Sequence, residues 1–244
     1  MADVKVPTQW QVQWVVSVGW MRQFRYLTGM YERILYIPGD VVECGLGEGN
    51  TFSMLAYLAG SEEYPYPPAM AITASRLAGS ERKLWGFDSF EGWPEPVEYD
   101  ASPRHPQKGE WRVSEEEVRE RLERSGIIRD FPSLEIKIVP GFFKDTLPTL
   151  PDRPIAFLHV DCDLYVGYRD VLTYLFPRVT KGGVVLFDEY KEFPPLPEYD
   201  YGRIEKWPGA TRAIDEYFVN TRYAIRSYPI NHWPGSKKYF VVKE

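Results

Sequence analysis

The chain has 244 residues, 44% of them hydrophobic, which suffices for one sizeable core and is short for two full domains. Twenty-nine Lys and Arg against 35 Asp and Glu give a net charge of -6 with no basic run, so nucleic acid is disfavoured as a partner. No apolar stretch approaches a membrane span and the opening "MADVKVPTQW" lacks the layout of a signal peptide, so a cytoplasmic protein without a membrane partner is expected.

Residues 10–37 carry aromatic and aliphatic side chains at mixed helical spacing, which predicts one or two N-terminal helices. "GDVVECG" then reads as a buried parallel strand, and "NTFSMLAYLAG" as the helix after it, with Asn50 or Thr51 as N-cap. The proline cluster within residues 61–80 marks an insertion before the strand "KLWGFD", which ends in Asp88. A long proline-punctuated loop follows, and then the helix "SEEEVRERLERSG", where Ser114 and Glu117 form a capping box and Gly126 stops the helix.

Three further strands are expected, "EIKIVPG", "IAFLHVDCD" and "GGVVLFDEY", with the helix "YRDVLTYLFPRV" between the last two. A second loop and the helix "ATRAIDEYFVN" lead to "RYAIRSYPI" and "KKYFVVKE", which read as an antiparallel hairpin at the sheet's edge. The alternation of strand and helix predicts an α/β, doubly wound, mostly parallel sheet in one domain over residues 1–244. Helices over residues 1–37 extend it, and loops 93–113 and 191–209 are expected to act as lid and substrate segments.

In "GDVVECGLGEGNTF" an apolar strand ends at Glu43, and Gly45, Gly47 and Gly49 alternate before Asn50 and Thr51 open a helix. Such a loop lets a ligand approach the backbone, and a helix N-terminus favours an anionic group. The dinucleotide fingerprint fits poorly, because its third glycine falls on Asn50 and the next strand-end acid, Asp88, lies far beyond the usual 20 or so residues. The spacing resembles instead the S-adenosylmethionine site of class I methyltransferases. There Glu43 would face the methionyl ammonium, Gly45 to Gly49, Asn50 and Thr51 would pass beneath the cofactor, and Asp88 would accept the ribose hydroxyls.

"HVDCDLY" and "LFDEY" each place acids directly after an apolar strand, so Asp161, Asp188 and Glu189 can converge. Three carboxylates in a small volume repel unless a cation sits among them, and a hard divalent ion, Mg²⁺ first, suits oxygen ligands. Alternatively Asp161 and Asp188 bond backbone amides while Glu189 meets water. Cys44 and Cys162 lie within strand-like runs and are assigned to packing, with no disulfide framework expected.

Together "PGDVVECG", "GFDSFEGWPEP", "VSEEEVRERLERSGI", "VPGFFKDTLP", "LHVDCDLYVGYRDVLTYLFPRVTKGGVVLFDEY" and "GATRAIDEYF" resemble the macrocin O-methyltransferases. Those enzymes methylate sugar hydroxyls of macrolides and related antibiotics, so the acceptor is expected to be a small, possibly glycosylated, molecule. The resemblance implies S-adenosylmethionine and Mg²⁺ dependence, with Asp161, Asp188 and Glu189 as metal ligands and a homo-oligomeric assembly. It adds Ser89, Phe90, Gly141, Phe142 and Phe143 to the expected cofactor contacts. Two positions depart from the family's usual pattern: Glu189 stands where Asp is common, and "GLGEGN" replaces a loop with Arg and paired glycines.

The resemblance further points to a histidine from the long loop after Asp88 as general base, and His105 is the one histidine there, with Asp161 beside the reacting oxygen. Asp163 could alternatively assist the base or hold the metal's water, and His159 is assigned to the core. "DCDLYVGY" carries no lysine, which argues against a lysine base. Trp93, Tyr99, Trp111, Tyr199, Tyr201 and Trp207 are candidates for stacking on sugars or flat acceptors. An oxidoreductase using NAD and a non-catalytic cofactor-binding scaffold are the competing readings.

Overall fold

The computed structural model describes residues 18–62, 82–191, 205–229 and 237–244. The expected insertion within 61–80, most of the 191–209 loop with Tyr199 and Tyr201, the hairpin turn with His232, and residues 1–17 lie outside these. Helix α1 (Val18–Tyr31) precedes strand β1 (Asp40–Cys44), helix α2 (Asn50–Ser61) and strand β2 (Leu84–Asp88). Helices α3 (Glu115–Arg124) and α4 (Ile127–Asp130) lead to β3 (Ile136–Pro140), and α5 (Phe143–Thr146) to β4 (Ile155–Val160). Helix α6 (Tyr165–Leu175), β5 (Val179–Phe187), α7 (Pro208–Phe218), β6 (Arg226–Pro229) and β7 (Lys237–Val242) complete the described chain.

The strands form one sheet in the order β3-β2-β1-β4-β5-β7-β6. The first five are parallel, whereas β7 runs antiparallel to both β5 and β6, as the hairpin pattern predicted. After β1 the chain builds outward to β2 and β3, then returns to place β4 on the other side of β1. The carboxyl ends of β1 and β4 therefore flank the switch point where sheets of this kind bind ligands.

Pleating sends alternate residues to opposite faces. Val42, Cys44, Leu158, Val160, Val185 and Phe187 pack with α6 and α7 on one face. Val41, Phe157, Val184, Leu186 and Phe240 pack with α1, α2 and α3 on the other. Each fully buried aliphatic or aromatic side chain contributes about 1.5–3 kcal/mol, which is why β1 and β4 are mostly apolar and interrupted only by Asp40, Glu43 and His159. At the amino end of β1, buried Asp40 accepts from Trp85 Nε1 at 2.9 Å and from Arg153 Nε at 2.6 Å and Nη2 at 2.8 Å, so the sheet's far edge is pinned by a satisfied charge.

Helix α3 is the element the sequence describes most completely. Ser114 Oγ accepts from Glu117 N, the Glu117 carboxylate accepts from Ser114 N, and Val118 and Leu122 bury one stripe. Helix α2 departs from expectation: its N-cap is Gly49, at φ 78°, with Asn50 as the first helical residue. A left-handed entry costs glycine little, and it frees the Asn50 side chain, whose Oδ1 accepts from Arg121 Nη1 at 2.7 Å. No helix among the described residues is long and apolar enough to cross a membrane.

Candidate active site

A cavity of about 770 Å³ opens at the carboxyl ends of β1, β2, β4 and β5. Gly45, Gly47, Asn50, Thr51, Asp88 and Ser89 line one wall, Phe142 and Phe143 lie beside them, and Asp161, Asp188 and Glu189 line another. The structure thus gathers eleven of the sixteen residues expected in catalytic, cofactor or metal roles into one space, and leaves five outside its lining: Glu43, Gly49, Phe90, Gly141 and His105.

The glycine loop is shaped by contact as well as by freedom. A Cβ on Gly45 would lie 1.6 Å from the Asp161 carbonyl oxygen, and its φ of +88° is unfavourable for any other residue. Gly45 is therefore required for β1 and β4 to close together, where Asp161 N donates to Cys44 O at 2.9 Å. A Cβ on Gly47 would meet nothing within 4 Å, since that face opens on the cavity. Gly49 instead backs onto Val118 of α3, Phe90 packs into the core cluster beneath α2, and Gly141 lies against Thr146 with its N–H given to Asp88 O.

Asp88 organises this loop. Its Oδ2 accepts from Leu46 N at 2.7 Å and Gly47 N at 3.3 Å, and its Oδ1 from Phe90 N at 2.8 Å. An ionised carboxylate has about four lone-pair positions, so three are used by the backbone and ligand hydroxyls would share the group with the loop.

Asp161, Asp188 and Glu189 converge, each offering a carboxylate oxygen with the three atoms within 4.8 Å of one another. Burial, and next the charge of Asp188, push Asp161 up to about 8. Burial, then Asp161, Asp163 and Asp188, push Glu189 well above the usual carboxylate range. Burial would raise Asp188 too, but the Lys238 ammonium and His159 outweigh it and hold its carboxyl low. Glu189 Oε2 also takes the Tyr168 hydroxyl and, at 3.3 Å, Asp163 N. Three acids that cannot all ionise unaided, on an oxygen-only donor set, fit a hard divalent cation such as Mg²⁺.

Beneath them Glu43 and His159 stand side by side on β1 and β4, with Glu43 Oε1 3.1 Å from His159 Nδ1. Glu43 is wholly buried, and its Oε2 has no partner among the described groups. Glu43, expected to face a cofactor ammonium, is directed along the sheet at His159 and does not line the cavity. Burial raises Glu43, and although burial lowers His159, the hydrogen bond and charge of Glu43, with Asp161 and Asp188, outweigh it and raise the imidazole. His159 is thus more than core filling, because its Nε2 lies 3.9 Å from Asp188 Oδ1.

The loop after β2 supplies an aromatic wall. Trp93 and Trp207 are buried and stack edge to face at 5.3 Å, while Trp111, 65% exposed, sits 6.4 Å from Trp93, and all three line the cavity. The loop is fastened by Trp93 N to Glu110 O, Gly109 N to Trp93 O, and by buried Asp100, which accepts from Tyr165 N at 2.8 Å. Trp93 Nε1 donates to Asp163 Oδ2 at 2.9 Å, and Asp163 lines the cavity too. His105 is exposed and lines a separate depression with Pro96, Val97, Asp100 and Gln107. His105, expected as the general base, thus stands on the turn that begins at Ser102 and does not line the cavity.

Three residues were missed from sequence. His159 and Tyr168 touch the carboxylates from β4 and α6, and Lys238, from β7 and not from "DCDLYVGY", pairs with Asp188. Only Lys238 left a signal, a polar residue in phase with buried Phe240.

The Macrocin-O-methyltransferase (TylF) family profile matches residues 18–200. Over 186 residues, 74% of the chain, the sequence is 32% identical to a demethyldecarbamoylnovobiocin O-methyltransferase of Streptomyces niveus, 58% of which is covered. Over 159 residues, 63% of the chain, it is 35% identical to an 8-demethyl-8-(2,3-dimethoxy-alpha-L-rhamnosyl)-tetracenomycin-C 4'-O-methyltransferase of Streptomyces olivaceus, 54% of which is covered. The chain thus spans less than two thirds of the length of these relatives. The solved calicheamicin methyltransferase CalS11 superposes with a TM-score of 0.70 at 25% identity, covering 93% of this chain and 80% of that one. The O-methyltransferase NovP does so at 0.64 and 27%, covering 92% and 81%. The doubly wound sheet with its antiparallel hairpin is the class I methyltransferase fold.

Proposed function

The chain belongs to the macrocin-O-methyltransferase family, and from that premise we propose that it transfers the methyl group of S-adenosylmethionine to a hydroxyl of a glycosylated natural product or related small molecule, with a hard divalent cation such as Mg²⁺. The observation that carries this is the placing of Asp161, Asp188 and Glu189 on the same cavity as the glycine loop and Asp88.

The cofactor, when bound, supplies an electrophilic methyl group on a sulfonium. Gly45, Leu46 and Gly47 present bare backbone to it, Asp88 shares its carboxylate between the loop and the ribose, and Phe142 and Phe143 flank it. The cavity lies within the roughly 300–1,000 Å³ common for ligand pockets, which accommodates cofactor and acceptor together. Asp161, Asp188 and Glu189 hold the cation, which when bound supplies Lewis-acid stabilisation of charge developing on the acceptor oxygen. Tyr168 and the Asp163 amide orient Glu189 for that task.

Asp163 takes the proton of the acceptor hydroxyl onto its carboxylate, one oxygen of which is fixed by Trp93. The acceptor's ring lies along the tryptophan wall, where indole faces take the C–H faces of a sugar. The loop over residues 93–113 acts as the cover of this acceptor space.

The test is incubation with labelled S-adenosylmethionine, Mg²⁺ and a panel of rhamnosides and other glycosides of macrocyclic and aromatic aglycones. One added methyl per acceptor is expected. Absence of transfer to every acceptor, with no binding of S-adenosylhomocysteine by calorimetry, would refute the proposal in favour of a scaffold or another cofactor.

A further inference from the structure

The charged row on the α1–α2 face of the sheet ends on a lysine. β5 and β7 are antiparallel, with Leu186 opposite Phe240 and Phe187 opposite Tyr239, so the next step of the ladder brings Lys238 beside Asp188. Alternation along β7 puts Lys238 in phase with Phe240, which is buried on the same face as Leu186. Lys238 Nζ donates to the Asp188 backbone carbonyl at 3.0 Å and pairs with Asp188 Oδ1, its side chain 17% exposed. Nε2 of His159 approaches that same Oδ1 at 3.9 Å from the other side. A cation on a strand 50 residues away in sequence thus grips one of the three convergent acids by both its carboxylate and its backbone.

We propose that Lys238 is a built-in counter-ion of the carboxylate cluster, which weakens the site's hold on a divalent cation and keeps the cluster folded when no cation is bound. This rests on the reading of Asp161, Asp188 and Glu189 as the ligands of such a cation. Removing the ammonium leaves Asp188 wholly available to the ion and removes a like-charge neighbour, an interaction that little solvent screens at a partly buried position. The same removal leaves three crowded acids with His159 alone to offset them in the metal-free protein. Lys238 is a positioning residue here and takes no part in the transfer itself.

The experiment titrates Mn²⁺ into the whole chain by calorimetry and follows thermal unfolding with chelator and with saturating Mn²⁺. Lys238→Met is compared with wild type and with Lys238→Arg, which keeps the charge. Lys238→Met is expected to bind Mn²⁺ at least about tenfold more tightly and to melt lower in chelator, with Mn²⁺ closing that gap, while Lys238→Arg stays near wild type. Wild type without Mn²⁺ binding overturns the ligand reading and this inference with it. Wild type that binds, with Lys238→Met within about twofold of it, overturns this inference alone. Should Lys238→Met fail to fold even with Mn²⁺, Lys238→Gln is measured instead, and its failure to fold with Mn²⁺ also overturns the inference.

Discussion

Trp93 Nε1 donates to Asp163 Oδ2 at 2.9 Å, joining the loop after β2 to the turn after β4 across 70 residues of sequence. Asp163 itself has a left-handed backbone, φ 58°, which an aspartate tolerates at some cost and which presents its carboxylate toward the cavity. The bond therefore fixes one carboxylate oxygen of the proposed proton acceptor and ties it to the tryptophan wall.

Asp163→Asn should lower kcat by about 10²–10⁴ while leaving S-adenosylhomocysteine affinity unchanged. Trp93→Phe, which keeps a ring and loses the donor, should lower kcat by a smaller factor, and His105→Ala should leave it within about twofold. Steady-state kinetics of the three variants decide between the two candidate bases, and a large kcat loss for His105→Ala would restore the histidine.

Asp161, raised from 3.8 to about 8, binds its proton more tightly folded than unfolded. Its contribution to metal-free stability should therefore be fully present below the lower value and be lost as pH rises through the upper one. A divalent ion must displace that proton and any that Glu189 holds, so affinity should rise at least about tenfold per pH unit up to about 8. Calorimetry in buffers of differing ionisation heat should show proton release on binding below about pH 8. Affinity independent of pH across this range would contradict the shift.

Gly45→Ala should cost more than about 3 kcal/mol, since the methyl would meet the Asp161 carbonyl at 1.6 Å in a backbone of φ +88°. Urea unfolding followed by circular dichroism measures this. A loss under about 1 kcal/mol would mean that β1 and β4 part easily at the site.

Trp111→Ala removes an exposed ring, so stability should change by less than about 0.5 kcal/mol. If the indole stacks on the acceptor, KM for a glycosylated acceptor should rise about five- to thirtyfold with kcat largely kept, a loss of about 1–2 kcal/mol of uniform binding. An unchanged KM would remove Trp111 from the acceptor's path.

The sheet was legible because β1, β4 and β5 are apolar runs that end abruptly in acids, and parallel strands with such ends bring those acids to one edge. Asp161, Asp188 and Glu189 followed from that rule alone. What stayed hidden depends on register between strands distant in sequence. Nothing local to His159 tells that it will stand beside Glu43, or to Lys238 that it will face Asp188. Gly49 displaced Asn50 as the cap because a left-handed φ is set by how the chain must enter α2, while the composition of the turn allowed both. Where His105 would stand was equally hidden, because the path of a 21-residue loop is set by anchors such as Asp100, whose partner Tyr165 lies in another element.

The most direct test of metal-assisted transfer is the initial rate of methylation of a responsive glycoside by wild type and Asp161→Asn, each in Mg²⁺ and in EDTA. Wild type should lose activity by about 10²-fold or more in EDTA and regain it with Mg²⁺, and Asp161→Asn should be slow in both. Undiminished turnover in EDTA, or by Asp161→Asn, would show that the three carboxylates serve the fold and not the reaction.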